Sequence, residues 1–139
     1  MGRRSRTLGV SDRRHLVIAI RVIDSITELQ PADAGCIALS GSHGGLSSAR
    51  YALAVRPLLS VFNDAGVGLD AAGIAGLEFL QTQNLAACAV SHTSARIGQA
   101  ASTLAHGVVS HANAAAQALG IRTQERLQPQ VDNLSRRQT

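Results

Sequence analysis

Five short apolar runs punctuate the chain, each closed by a cluster of small polar residues. Leu16 to Ile23 is rich in β-branched residues and ends at Asp24-Ser25. Cys36 to Leu39 ends in Ser-Gly-Ser-His-Gly-Gly, Leu58 to Phe62 in Asn63-Asp64, Leu85 to Val90 in Ser91-His92, and Val108-Val109 in Ser110-His111. Runs this short, bounded by turn residues, read as strands. They are largely continuous rather than alternating, which is the pattern of strands buried on both faces. Segments with helical spacing lie between them. These are Ser47 to Val55, which stops before Pro57, then Asp70 as N-cap of a helix reaching Gln81, then Arg96 to Ala105. A last helix is capped by Asn113, runs to Leu119 and is closed by Gly120. Strands alternating with helices of about ten residues form βαβ units. The expected fold is α/β: a three-layer sandwich around a mostly parallel sheet of four to five strands, a small Rossmann-like or flavodoxin-like domain.

The same pattern predicts a basic N-terminal tail over 1–13, an α/β domain over 14–121, and a polar C-terminal tail or partner-binding arm over 122–139. A chain of 139 residues has the size of one domain and buries a core without needing disulfides. With 2% aromatic residues, that core is built from Ala, Val, Leu and Ile.

The net charge of +4 changes the picture less than its distribution does. Between His15 and Ile121 the basic residues are Arg21, Arg50, Arg56 and Arg96, against Asp24, Glu28, Asp33, Asp64, Asp70 and Glu78. The surplus lies at the ends, in Arg3, Arg4, Arg6, Arg13 and Arg14 and in Arg122, Arg126, Arg136 and Arg137. Nucleic-acid recognition calls for a basic face, often with stacking aromatics, so no nucleic-acid partner is expected. The chain has no lysine, which removes Schiff-base, Ser–Lys and Walker-A chemistry. Its all-arginine, alanine-rich composition suits a GC-rich bacterial genome. Cys36 and Cys88 sit inside apolar runs and read as buried thiols, with no disulfide or CxxC framework. Arg3-Arg4 superficially matches a twin-arginine signal, but Leu16 to Ile20 is too short for an h-region. No apolar stretch reaches membrane-spanning length. A cytoplasmic protein without a membrane partner is expected.

In open α/β sheets, ligands bind beyond the carboxyl ends of the strands. Three of the five strand ends carry Ser-His, and a fourth carries Asn-Asp. Helix capping explains one such pair more easily than three. The candidate catalytic residues are therefore Ser42, His43, Asp64, His92 and His111. Ser40-Gly-Ser42-His43-Gly44 is a loosened nucleophile-elbow pattern, and the order Ser, Asp, His follows along the chain. Gly44 and Gly45 would offer N–H groups to an oxyanion. Gly66, in Asn63-Asp64-Ala-Gly-Val-Gly68, would let the backbone approach a ligand, though the loop is not a dinucleotide fingerprint. Ser91, Ser94 and Arg96 form a hydroxyl-rich, anion-attracting loop, and Asn63 and Asn113 complete the binding set. The four site residues His43, Asp64, His92 and His111 are chemically acceptable metal ligands, but no short ligand spacing occurs, and neither metal nor cofactor is expected.

Two functions fit. One is a hydrolase or acid–base enzyme acting on a small, polar, anionic molecule. Ser42 or a water would be its nucleophile, His92 or His111 the base, Asp64 the orienting carboxylate and Arg96 the anchor. The alternative is a non-catalytic small-anion or nucleotide-binding regulatory module. In either case the alanine-rich helices suit packing against further copies, and a homo-oligomer is expected.

Overall fold

A computed structural model describes residues 17–137. The Arg-rich 1–13 segment, His15 and Leu16 lie outside the described residues. Five strands, β1 (Ile20–Ile23), β2 (Ile37–His43), β3 (Leu59–Asn63), β4 (Ala86–Val90) and β5 (Val109–Ala112), form one sheet in the order 1-2-3-4-5. β1 to β4 are parallel and β5 is antiparallel to β4. The helices are α1 (Leu46–Val55), α2 (Ala75–Thr82), α3 (Ala100–His106), α4 (Ala114–Ala118) and α5 (Leu127–Ser135). The architecture is an α/β sandwich with a mostly parallel sheet, as the run pattern predicts.

Successive side chains of a strand point to opposite faces, so each inner strand feeds two cores. On one face Ile37, Leu39, Leu59, Val61, Ala86, Cys88 and Val90 pack with Ala100 of α3, Ala116 of α4, and Leu127, Val131 and Leu134 of α5. On the other, Ala38, Phe62, Ala87 and Ala89 pack with Ala49 and Ala52 of α1 and Leu77 and Leu80 of α2. Burial pushes the Cys88 thiol up to about 12, so it stays a small apolar packing group.

The expected tail over 122–139 does not hold for 127–135. Leu127, Val131 and Leu134 recur at spacings of four and three, one helical face, and are almost fully buried. Glu125 O accepts from Val109 N, and Ile18 N donates to Ser135 O, so this segment ties the lead-in of β1 to the edge of β5. Other boundaries move as well. β5 runs over Val109–Ala112, so Ser110 and His111 lie inside it rather than after it. β2 runs on through Ser40–His43 rather than ending at Leu39. Asp70 does not cap a helix: it has φ 53° within a short 3-10 turn, and α2 starts at Ala75. Arg96 lies in a loop, and α3 starts at Ala100.

Both ends of α3 lie at the carboxyl edge of the sheet. Asp24, after β1, accepts from Ala100 N at 2.9 Å, and Val108 O accepts from Ser91 N, after β4. A helix of 7 residues, roughly 10 Å long, crosses the strands sideways there instead of returning the chain to the opposite edge. The next strand has to run back down, which makes β5 antiparallel.

Gly41 makes this crossing possible. A Cβ there would lie 2.5 Å from Gln99 N and 2.6 Å from Gly98 C, where Gly98 N donates to Gly41 O. Both neighbours are backbone. Gly41→Ala is expected to lower unfolding stability by about 1–3 kcal/mol, measured by denaturant titration.

Candidate functional site

β3 ends at Asn63, and the next residue, Asp64, is 5% exposed. Its Oδ1 accepts from Gly66 N at 2.8 Å and from His92 N at 3.0 Å, and Oδ2 accepts from the Ser110 hydroxyl at 2.8 Å. The His92 ring stands beside the same carboxylate, Nδ1 to Oδ1 3.4 Å, over the bare face of Gly66. Burial raises the Asp64 carboxyl. The Gly66 N–H, the Ser110 hydroxyl, the His92 N–H and the His92 ring together outweigh it, and hold the group below its ordinary 3.8.

Ser110 reaches Asp64 because of a bulge. Ala89 pairs with His111 and Val90 with Val109, so Ser110 is an extra residue in β5. A bulge re-aims side chains that would otherwise alternate. Here Ser110 and His111 come together, with His111 Nδ1 2.9 Å from Ser110 Oγ. The result is a chain of polar contacts from His92 through Asp64 and Ser110 to His111. Ser110 and His111 line a cleft of about 270 Å³ between α2 and β5, with Ile74, Leu77, Glu78, Ala112, Asn113 and Thr123.

The other candidates stand apart from this chain. Ser42 Oγ accepts from Ile26 N at 2.9 Å, holding the 3-10 turn Ile26–Glu28 against β2. His43 folds over Gly45, with Nδ1 accepting from Gly45 N at 3.1 Å. Gly44 N donates to Asn63 O, so both glycine N–H groups are already engaged. These glycines serve packing instead: Gly76 of α2 seats directly on their carbonyls. Asn63 bonds Ala65 N and Ala95 O. Ser94 Oγ donates to Ser91 O and accepts from Val108 N, closing the 91–95 turn onto β5. Ser91 Oγ accepts from the Thr93 hydroxyl, and Arg96 is exposed in the same loop. Asn113 is saturated: Oδ1 accepts from Ala87 N and Ala116 N, and Nδ2 donates to Leu77 O and Leu85 O.

Ser110 and Glu78 are the site residues that the strand-end reading does not select. Ser110 carries a signal in its Ser-His pair, but its contact with Asp64 depends on the bulge. Glu78 lies mid-helix on α2, where sequence alone reads a solvated side chain. Among the described residues, no group of three or more His, Cys, Asp or Glu side chains is placed to hold a metal ion. No helix among them is long and apolar enough to cross a membrane. Comparison with protein-family models, curated proteins and solved structures finds no match for this chain.

Proposed function

We propose that the protein is an acid–base enzyme of the hydrolase kind, acting on a small polar molecule held between α2 and β5. The observation that carries this reading is the hydrogen-bond relay from Asp64 through Ser110 to His111. An ionised carboxylate only accepts, so the single hydroxyl proton of Ser110 points to Asp64. Ser110 Oγ then faces His111 as an acceptor, and Nδ1 is the protonated ring nitrogen. Nε2 keeps its lone pair. A neutral imidazole in that tautomer on a cleft wall is equipped to act as a general base.

The relay gives Ser110 an orienting role. Its proton is committed to a carboxylate and not to an imidazole, so the group that His111 deprotonates is a water or the substrate itself. Ser42, bonded to Ile26 N, takes no part in this reading. The cleft volume of about 270 Å³ sits at the small end of ligand sites, which fits a small molecule.

Long-range ¹H–¹⁵N spectra of the histidine rings test the relay directly. A neutral His111 protonated on Nδ1 is expected, together with turnover of at least one member of a panel of small esters, amides and phosphoesters. A proton on Nε2 would overturn the relay and the base role drawn from it.

A further inference from the structure

The polar groups that line the cleft are not equivalent. Among the described residues lining it, Glu78 carries the one formal charge, and it is negative. Asp64 adds a second negative charge just behind Ser110. None of the lining residues is an arginine, and the chain has no lysine. The nearest arginine in sequence, Arg122 beside Thr123, is turned to Glu125, with Nε to Oε2 3.2 Å. Asn113 contributes surface but no free hydrogen-bonding group, because all four of its amide positions are used. The side-chain acceptors left open are the Glu78 carboxylate, the Thr123 hydroxyl and, in the tautomer derived above, His111 Nε2, and only Glu78 among them is charged. Ile74, Leu77 and Ala112 form the apolar part of the wall.

We propose that this cleft selects a small molecule carrying an ammonium or comparable hydrogen-bond-donating group, seated on Glu78 with its apolar part against Ile74, Leu77 and Ala112, and that it discriminates against anions. The inference rests on the reading of this cleft as the substrate site, and it names the substrate class. It reverses the charge expected from Arg96. A ligand carboxylate would meet Glu78 with no cation in the wall to offset the repulsion, whereas an ammonium gains both an ion pair and a strong donor–acceptor contact. The wall favours a short alkyl portion, since a fully polar ligand would leave the apolar residues uncovered.

Two probes matched in length, n-butylammonium and n-butyrate, decide the matter. They are titrated into the full chain at about pH 8, where an ordinary imidazole is neutral. The readout is the backbone amide shifts of Ser110, His111, Ala112 and Thr123. The ammonium is expected to bind at least about tenfold more tightly than the carboxylate, with the preference falling to about twofold or less in Glu78→Gln. Equal or tighter binding of butyrate overturns the proposal, and so does a preference that survives Glu78→Gln. Absence of any shift in these amides with either probe also overturns it. The histidine ring signals in the same samples separate this inference from the acid–base reading. Ammonium selectivity with the His111 proton on Nε2 keeps the ligand class and removes the base. The expected tautomer with butyrate preferred does the reverse.

Discussion

Asn113→Ala is expected to cost about 3–5 kcal/mol of unfolding free energy, the largest stability loss of any single polar side chain described here. The residue is 4% exposed and makes four hydrogen bonds, each to a backbone group of another turn or element. It joins the start of β4, the first turn of α2 and the first turn of α4. Truncation leaves Ala87 N, Ala116 N, Leu77 O and Leu85 O without that partner behind the cleft wall, where the side chain is almost fully buried. Each unmet group carries a desolvation penalty, and a domain of this size has roughly 5–15 kcal/mol to lose. Asn113→Asp provides a pH signature. Its second oxygen replaces a donor that faces two carbonyl oxygens, so the folded state raises the pKa of this carboxyl. A raised carboxyl pKa destabilises above that pKa and relents as the pH falls, so the variant regains stability on acidification. Denaturant titrations across pH measure both effects. A loss below about 1 kcal/mol for Asn113→Ala would show that the four contacts are not jointly made.

Asp64→Asn is expected to lower turnover by about a hundredfold or more while leaving the fold intact, and His111→Gln to lower it at least as far. The asparagine oxygen takes the place of Oδ1 and keeps the Gly66 and His92 N–H groups satisfied. Its amide then points a donor at Ser110, where the wild type has an acceptor. The Ser110 hydroxyl turns to His111 Nδ1, 2.9 Å away, in preference to Ala89 O at 3.3 Å. The imidazole is driven to the Nε2–H tautomer, and its lone pair leaves the substrate side. Ring ¹⁵N shifts check the tautomer, and kcat/KM on any panel substrate checks the consequence. A full retention of activity would remove Asp64 from the mechanism.

The same carboxylate gives the wild type an acid-side dependence. The folded pKa of Asp64 is lowered, so the stability it contributes is present in full above the ordinary value of 3.8 and is lost as the pH falls from there through the folded value. Asp64→Asn is expected to flatten that part of the stability profile.

Most of the sheet was legible from local pattern. β4 and the first three residues of β2 are continuous apolar runs, and β3 is interrupted inside only by Ser60, because both faces of these strands are covered and burial on both faces demands that composition. The caps at Asn113 and Gly120 follow from local backbone chemistry: Asn113 accepts from Ala116 N, and Gly120 has φ 97°. Helix α5 was legible in principle, in the spacing of Leu127, Val131 and Leu134, but the polar residues around them dominate the average. The position of residues at the carboxyl edge was also readable, since Asp64 follows β3 directly and His92 lies two residues after β4.

What the side chains do there was decided by tertiary structure. Ser42 and His43 share the Ser-His pattern with Ser110 and His111, yet the first pair is spent on backbone N–H groups and the second faces a cleft. The difference comes from the sideways path of α3, which sends β5 back antiparallel, and from one extra residue in β5 opposite Ala89 and Val90. A bulge alters alternation without altering composition, so no run of residues announces it. Local sequence determined the strands, the caps and the edge at which polar residues gather. The partner of each polar group depended on the register between strands far apart in the chain, which only the packed sheet defines.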